Sequence, residues 1–206
     1  MTKNNEMAKD WKGNIQSIHI CMGSRNYAIQ ERQSQDFYAT NPKALKLLLE
    51  IEYFDKIIPV WECACGAGHL SKLLIEKGYD VKSSDLFDRG YGKTGIDFLA
   101  MENQEWNGNI ITNPPFIYAT EFIYKALQII PVGNKFAVFL PIRYLEGVSR
   151  GQIFKNFPPR IIYVPSRRLK CARNGEFEKM KGSALSFAWY VWHKGFKGTT
   201  ELKWFN

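Results

Sequence analysis

"IIPVWECACGAGHLSKLLIEKG", residues 57–78, packs three physical statements into one short stretch. "IIPVWEC" (57–63) is apolar and suits a buried strand. Gly66 and Gly68 follow, and a backbone without Cβ can turn sharply there and come close to a ligand. "HLSKLLIEKG" then reads as a helix that stops at Gly78. Strand, glycine turn, helix is a nucleotide-binding arrangement. The third glycine of a G-x-G-x-x-G pattern is replaced by Ser71.

Outward from that unit the chain alternates. "DFYATNP" (36–42) opens a helix that Thr40 or Asn41 can cap, with Pro42 in its first turn. Ala44, Leu47, Leu48 and Ile51 predict its apolar face. "YDVKSSD" (79–85) predicts a second strand, "GIDFLA" (95–100) a short third one and "GNIITN" (108–113) a fourth. "EFIYKALQII" (121–130) predicts an amphipathic helix with Phe122, Ile123, Ala126, Leu127 and Ile130 on one side. "NKFAVFLP" (134–141) is a fifth strand, and a helix near 145–156 leads to a sixth, "RIIYVP" (160–165). "SALSFAWYVWHKG" (183–195) holds the seventh. The expected fold is α/β: a doubly wound, Rossmann-like sheet of about seven strands, the last two an antiparallel hairpin. Residues 1–35 show no sustained period and read as an arm; residues 36–206 read as one domain.

The bulk numbers fit that size. The 206 residues suffice for one core, with 45% apolar and 15% aromatic residues. The apolar runs are far shorter than the roughly 18–20 residues of a membrane span. "MTKNNEMAKDWKGN" lacks the apolar region of a signal peptide, so a cytoplasmic protein with no membrane partner is expected. Cys63 and Cys65 have C-x-C spacing with no second pair. Together with three scattered histidines they make no zinc pattern and suggest reduced, buried thiols. The net charge of +8 is uneven. Residues 141–206 carry 13 Lys and Arg against 4 Asp and Glu; residues 1–140 carry 15 against 16. A basic last third points to a polyanion partner.

Acids stand at successive strand ends, where sheets of this kind bind ligands. Glu62 ends the first strand, where a carboxylate can hold the ammonium of a methionine moiety. Asp85 ends the second and can accept both hydroxyls of a ribose. Asp97 and Phe98 end the third, where they could read an adenine amino group and pack on its ring. The fourth strand ends in "NPPF", Asn113–Phe116. Two prolines cannot lie inside a strand or helix, so they form a rigid elbow. The Asn113 amide oxygen and the Pro114 carbonyl are two acceptors able to grip both hydrogens of a planar amino group. Such a nitrogen is a poor nucleophile because its lone pair is delocalised. Two acceptors draw it towards a tetrahedral shape and free that pair, and Phe116 offers a face for a base.

"ECACGAG", "SSD", "IDF" and "NPPF", in that order, resemble the amino-group DNA methyltransferases that use S-adenosylmethionine. With "DFYATNPKAL", "RLKCARNGEFE" and "FAWYVWHKGFKG" added, the chain is similar over most of its length to small prophage-encoded adenine-N6 methyltransferases. It departs from the pattern where Asn41 separates Thr40 from Pro42, and where Cys63 replaces the usual proline after the first acid. The resemblance implies that Asp36, Phe37 and Thr40 contact cofactor. It further implies that Glu62, Cys65, Gly66 and Gly68 hold the methionine part, Asp85 the ribose, and Asp97 and Phe98 the adenine. Asn113, Pro114, Pro115 and Phe116 would then hold the target base, which a duplex must flip out.

The elbow serves adenine, cytosine or a protein glutamine amide alike. An RNA or protein-glutamine N-methyltransferase is therefore the alternative, and the basic last third favours nucleic acid, DNA by resemblance. A nicotinamide oxidoreductase has no use for the elbow, and the intact elbow argues against a non-catalytic nucleic-acid-binding protein. "SRRLKCARNGEFEKMKG" (166–182) suggests a basic loop or hairpin whose Arg167, Arg168, Lys170 and Arg173 would hold phosphates.

Overall fold

The computed structural model describes residues 38–102, 105–167, 169, 171–173 and 185–205; the 1–35 arm lies outside them. A short strand, β1 (Tyr38–Thr40), leads into helix α1 (Pro42–Ile51). Asn41 caps α1 by accepting the Lys43 N–H at 2.9 Å, and Pro42 takes the first helical turn, where its missing N–H has no partner to lose. The residue between Thr40 and Pro42 is thus the cap. Next come β2 (Val60–Glu62), α2 (His69–Glu76), β3 (Val81–Ser83) and β4 (Asn109–Thr112). A 3-10 turn (Phe116–Tyr118) opens into α3 (Ala119–Ile129), followed by β5 (Lys135–Pro141). A second 3-10 turn (Ile142–Leu145) leads to α4 (Val148–Asn156), β6 (Ile161–Pro165), β7 (Cys171–Arg173), β8 (Phe187–His193) and β9 (Glu201–Phe205).

Seven of these strands make one sheet in the order β3-β2-β4-β5-β8-β6-β9. β3, β2, β4 and β5 run parallel, and β8 enters antiparallel between β5 and β6. The chain leaves β2 towards β3 on one side and later leaves β4 towards β5 on the other. The reversal between β2 and β4 opens a crevice at their carboxyl ends, the place where open α/β sheets bind ligands.

Period-2 alternation sorts the strands onto two cores. Trp61, Ile110, Phe136, Val138, Tyr190 and Trp192 face α3 and α4; Val60, Ile111, Ala137, Phe139, Trp189 and Val191 face α1 and α2. Buried on both faces, the central strands read as unbroken apolar runs. The α3 side is as its spacing predicts, with Phe122, Ile123, Ala126, Leu127 and Ile130 all buried.

Three sequence expectations change. Residues 95–100 form a turn rather than a strand, and Asp97 caps it by accepting the N–H of Leu99 at 2.9 Å. The sheet still has seven strands because β9, a parallel partner of β6 that the alternation did not announce, joins it. The pairing of β6 with β8 is antiparallel as expected, and β8 also pairs antiparallel with β5 on its other side. On α1 the buried face is Ala44, Leu45 and Leu48, while Ile51 is 41% exposed. Trp189 donates its indole N–H to the Ala44 carbonyl at 3.0 Å, which keeps the first two turns of α1 on the sheet. Among the described residues no helix is long and apolar enough to cross a membrane.

A buried acid joins α1 to the sheet at the end opposite the crevice. Glu52 accepts from Lys135 Nζ at 2.5 Å and from the Tyr163 hydroxyl at 2.7 Å, with His193 Nε2 at 3.4 Å. Burial works to raise its pKa, but the bonds to His193, Lys135 and Tyr163 outweigh it and lower the value to about 2. The ionised form is therefore the stabilising one. Its contribution is full above the ordinary carboxylate range and fades as pH falls towards about 2. Glu52→Gln is expected to destabilise the fold at pH 7 by on the order of 2 kcal/mol. Urea melts from pH 7 to pH 2.5 should show that gap closing below pH 4.5; a gap that stays constant would contradict the assignment.

Candidate functional site

The glycine turn is held from both sides by buried carboxylates. Gly66 and Gly68 adopt φ of 53° and 77°, left-handed values that glycine takes without strain. Glu62, the last residue of β2, is 2% exposed, and its Oε2 accepts both the N–H (2.8 Å) and the hydroxyl of Ser71. Ser83 on β3 donates in turn to the Ser71 hydroxyl at 2.7 Å. The serine at the third glycine position is therefore the partner of the acid nine residues before it. No hydrogen bond among the described residues reaches Glu62 Oε1. Burial pushes the Glu62 pKa up to about 8 against the pull of the Ser71 bonds, with the nearby Asp85 charge adding to the rise.

Asp85 ties the turn to β3. Its Oδ2 accepts the Gly66 N–H at 2.8 Å and its Oδ1 the Phe87 N–H at 2.9 Å, leaving lone pairs on both oxygens. The chain then loops out and returns, with Asp85 N–H bonded to the Lys93 carbonyl. On the way it exposes Leu86 and Phe87 beside Asp85 and folds Tyr91 inward. A Cβ on Gly68 would stand 2.6 Å from Tyr91 Cε1, and one on Gly92 would stand 2.8 Å from Cys65 Sγ. Lys72 Nζ lies 4.9 Å from the Tyr91 ring centre. Cys63 and Cys65 are free and buried; burial pushes the Cys65 thiol up to about 12, so it is a packing group and not a nucleophile.

The elbow stands one strand across. Thr112 of β4 pairs with Val138 of β5, so Asn113 leaves the sheet beside the end of β2. Asn113 is half-buried, Pro114 buried, and the Pro115 carbonyl is taken by the Tyr118 N–H at 3.0 Å. No hydrogen bond among the described residues takes the Pro114 carbonyl. Phe116 meets Phe187 of β8 at 5.8 Å, ring centre to ring centre. Behind the elbow, Thr120 Oγ1 and the Tyr144 hydroxyl are 2.8 Å apart, which joins α3 to the turn after β5.

Glu62, Cys65, Gly66, Gly68, Asp85 and the Asn113–Phe116 elbow thus gather at one crevice. Phe98 does not join them. Its ring is buried between Trp61 (5.3 Å, edge-on) and Phe122 (4.9 Å, stacked), where it packs α3 onto β2. Apolar surface at the crevice comes from Leu86 and Phe87 instead. Their only sequence signal is their place directly after the second acid. Asp97 is exposed and caps its own turn. Thr40 is buried, and its hydroxyl finds no partner among the described residues. Asp36, Phe37, Arg168 and Lys170 lie outside the described residues. Arg167 is exposed just past β6. The 166–182 segment is not wholly a projecting finger, because β7 pairs antiparallel with β1, Thr40 opposite Cys171 and Tyr38 opposite Arg173. Among the described residues, no group of three His, Cys, Asp or Glu could hold a metal ion.

No protein-family model matches the sequence, and no curated protein matches it. Solved structures do match. A modification subunit assigned to a type I restriction enzyme of Vibrio vulnificus superposes with a TM-score of 0.58 at 13% identity, over 82% of this chain. This chain spans 47% of that subunit's length. A protein of Pyrococcus horikoshii described as an RNA methyltransferase gives 0.55 at 15% identity, over 89% of this chain and 100% of its own. An Agrobacterium tumefaciens protein described as an O-methyltransferase gives 0.53 at 13% identity, over 77% and 83%. The fold is the Rossmann-like methyltransferase fold.

Two outcomes test the geometry of the turn. Gly68→Ala should destabilise by about 1–2 kcal/mol from left-handed backbone alone, with a further loss from displacing Tyr91. Adding Tyr91→Ala should recover the second part only; no recovery in urea melts would mean the ring is not the obstacle. Because Glu62 holds its proton in the folded state up to about pH 8, it disfavours folding increasingly as pH rises from 4.5 to 8. Glu62→Gln should accordingly gain on the wild type across that window, and a difference flat with pH would mean that Glu62 is ionised throughout.

Proposed function

We propose that the chain is an S-adenosylmethionine-dependent methyltransferase acting on the exocyclic amino group, N6, of adenine in DNA. One observation carries the reading. A proline-locked asparagine stands at the end of β4, beside a glycine turn held by two carboxylates at the ends of β2 and β3. The first half of that arrangement suits a planar nitrogen and the second a nucleoside-bearing cation.

The residues fit the cofactor. Glu62 Oε1 is open among the described residues to an ammonium group, whose positive charge would favour the ionised carboxylate and displace its proton on binding, and Asp85 retains acceptor capacity for a ribose. Leu86 and Phe87 offer apolar surface for a purine, and the Thr40 hydroxyl is buried with no partner among the described residues. When bound, S-adenosylmethionine supplies an electrophilic methyl group. Asn113 Oδ1 and the Pro114 carbonyl accept the two amino hydrogens and free the nitrogen lone pair, and Phe116 stacks on the base. No general base has to act before attack, since the proton becomes acidic only once nitrogen has bonded to carbon. The released proton leaves through the same acceptors to water. The elbow preorganises this grip, so its energy is realised as the nitrogen turns tetrahedral.

The choice of nucleic acid over a protein amide rests on the basic last third of the chain. The restriction-enzyme subunit among the structural neighbours favours DNA. Incubation with labelled cofactor and a set of DNA and RNA polymers, followed by digestion, should yield N6-methyl-2′-deoxyadenosine from DNA. Asp85→Asn is expected to weaken cofactor binding by about 1.5–3 kcal/mol, the worth of hydrogen bonds to a charged group. Asn113→Ala should lower turnover by on the order of a hundredfold or more with cofactor affinity unchanged. Near-full activity of Asn113→Ala would remove the elbow from the chemistry, and tight NAD binding without S-adenosylhomocysteine binding would overturn the cofactor.

A further inference from the structure

A strand that offers a base to Asn113 approaches the carboxyl end of β4, and its parallel neighbour β5 ends beside it. The segment that rises there is Ile142–Arg150. It is anchored on three sides. Ile142 N–H bonds to the Ser186 carbonyl at 2.8 Å, and the Tyr190 hydroxyl donates to the Pro141 carbonyl at 3.1 Å. The Tyr144 hydroxyl meets Thr120 Oγ1, one turn behind the elbow, at 2.8 Å.

Arg150 folds back over this segment. Its Nε donates to the Tyr144 carbonyl at 3.0 Å, its Nη2 reaches the Arg143 carbonyl at 3.5 Å, and its guanidinium lies 5.3 Å from the Tyr144 ring centre. Gly147, at φ 109°, leaves the room, since a Cβ there would stand 2.8 Å from Arg150 Nη2. The device holds a short turn rigid, and the segment presents Arg143, Glu146 and Val148 outward. Arg143 is exposed, and its guanidinium makes no ion pair with any described residue. Val148 is 92% exposed. The acid on the segment itself is Glu146, and Glu121 faces it from α3.

We propose that Ile142–Arg150 is a phosphodiester-binding ledge of the base-capturing site: Arg143 takes a backbone phosphate beside the captured nucleotide, and Val148 bears on the adjoining sugar or base. This rests on the nucleic-acid reading above. The planar fork of an arginine matches two phosphate oxygens at once, and a neighbouring apolar side chain suits the sugar face between phosphates. Arg150 is a positioning residue, its donors being used on the turn's own carbonyls. A phosphate contact carries no base information, so it must act equally on all sequences and with the salt dependence of one released counterion.

The test is anisotropy with labelled single-stranded and duplex adenine-containing DNA, from 50 to 200 mM salt, with S-adenosylhomocysteine present. Arg143→Ala should bind about five- to tenfold more weakly on every sequence, with the log–log salt slope smaller by about 0.7 on single strands or 0.9 on duplex. Arg143→Lys should keep most of the slope. Val148→Glu, which puts an acid where the backbone would lie, should weaken binding at least as much as Arg143→Ala. Lys56→Ala, at the opposite end of the sheet, should change neither affinity nor slope by as much. Melting temperature and S-adenosylhomocysteine affinity should stay at wild-type values in all four. A wild type that binds DNA while Arg143→Ala matches it in affinity and slope overturns the ledge alone. A wild type that binds no DNA overturns the nucleic-acid reading and the ledge with it.

Discussion

The bond from Ser71 to Glu62 is the constraint on which the crevice depends. A backbone leaving β2 has many ways to turn, and positive φ at Gly66 and Gly68 only makes the sharp one available. The turn is selected because a buried carboxylate at the strand end accepts two hydrogens from the first turn of α2. Asp85 then fastens the same turn to β3. An unpartnered carboxylate in that position would be costly, so the two acids and the turn stand or fall together. Their placement also keeps Glu62 Oε1 and a lone pair on each Asp85 oxygen available.

The other half of the crevice is made by different means. Around the elbow, rigidity comes from proline rings and aromatic packing rather than from charge. Pro114 and Pro115 fix the direction of Asn113, Phe116 rests against Phe187, and the Thr120–Tyr144 contact closes the back. Charge governs the side that suits a cation, and shape governs the side that suits a flat ring.

Much of this was legible in the sequence, for reasons of distance along the chain. The glycine turn, its acids and the elbow are local, and each carries its own chemistry within a few residues. The doubly wound order follows from alternating strands and helices. What stayed hidden is non-local or ambiguous in period. Phe98 follows an acid and looks like a ligand-facing ring, yet the residue's fate is set by Trp61 and Phe122, which lie far off in sequence. Leu45 and Ile51 both fit a helical face, and the sheet and helix residues packed under α1, Trp189 among them, decide which is buried. In β9, Leu202 and Trp204 stay exposed, so the strand lacks the apolar signature of the central ones. Tyr91 is one aromatic in a glycine-rich loop until Gly68 is seen beneath it.

The pairing of β1 with β7 has a consequence for how the protein is made. Thr40 sits opposite Cys171, so a strand from the beginning of the domain waits for one near its end. The unit from β2 to β5, with its parallel neighbours and their helices, is complete in the chain well before residue 171 leaves the ribosome. Because contacts between distant segments form only after the entropy of the intervening loop has been overcome, the ribbon is among the last features to close. A nascent chain therefore acquires its glycine turn early and the cover beside it late. Truncation before residue 171 would remove the strand that pairs with β1 and also β8, which fills the sheet between β5 and β6 and backs the elbow with Phe187.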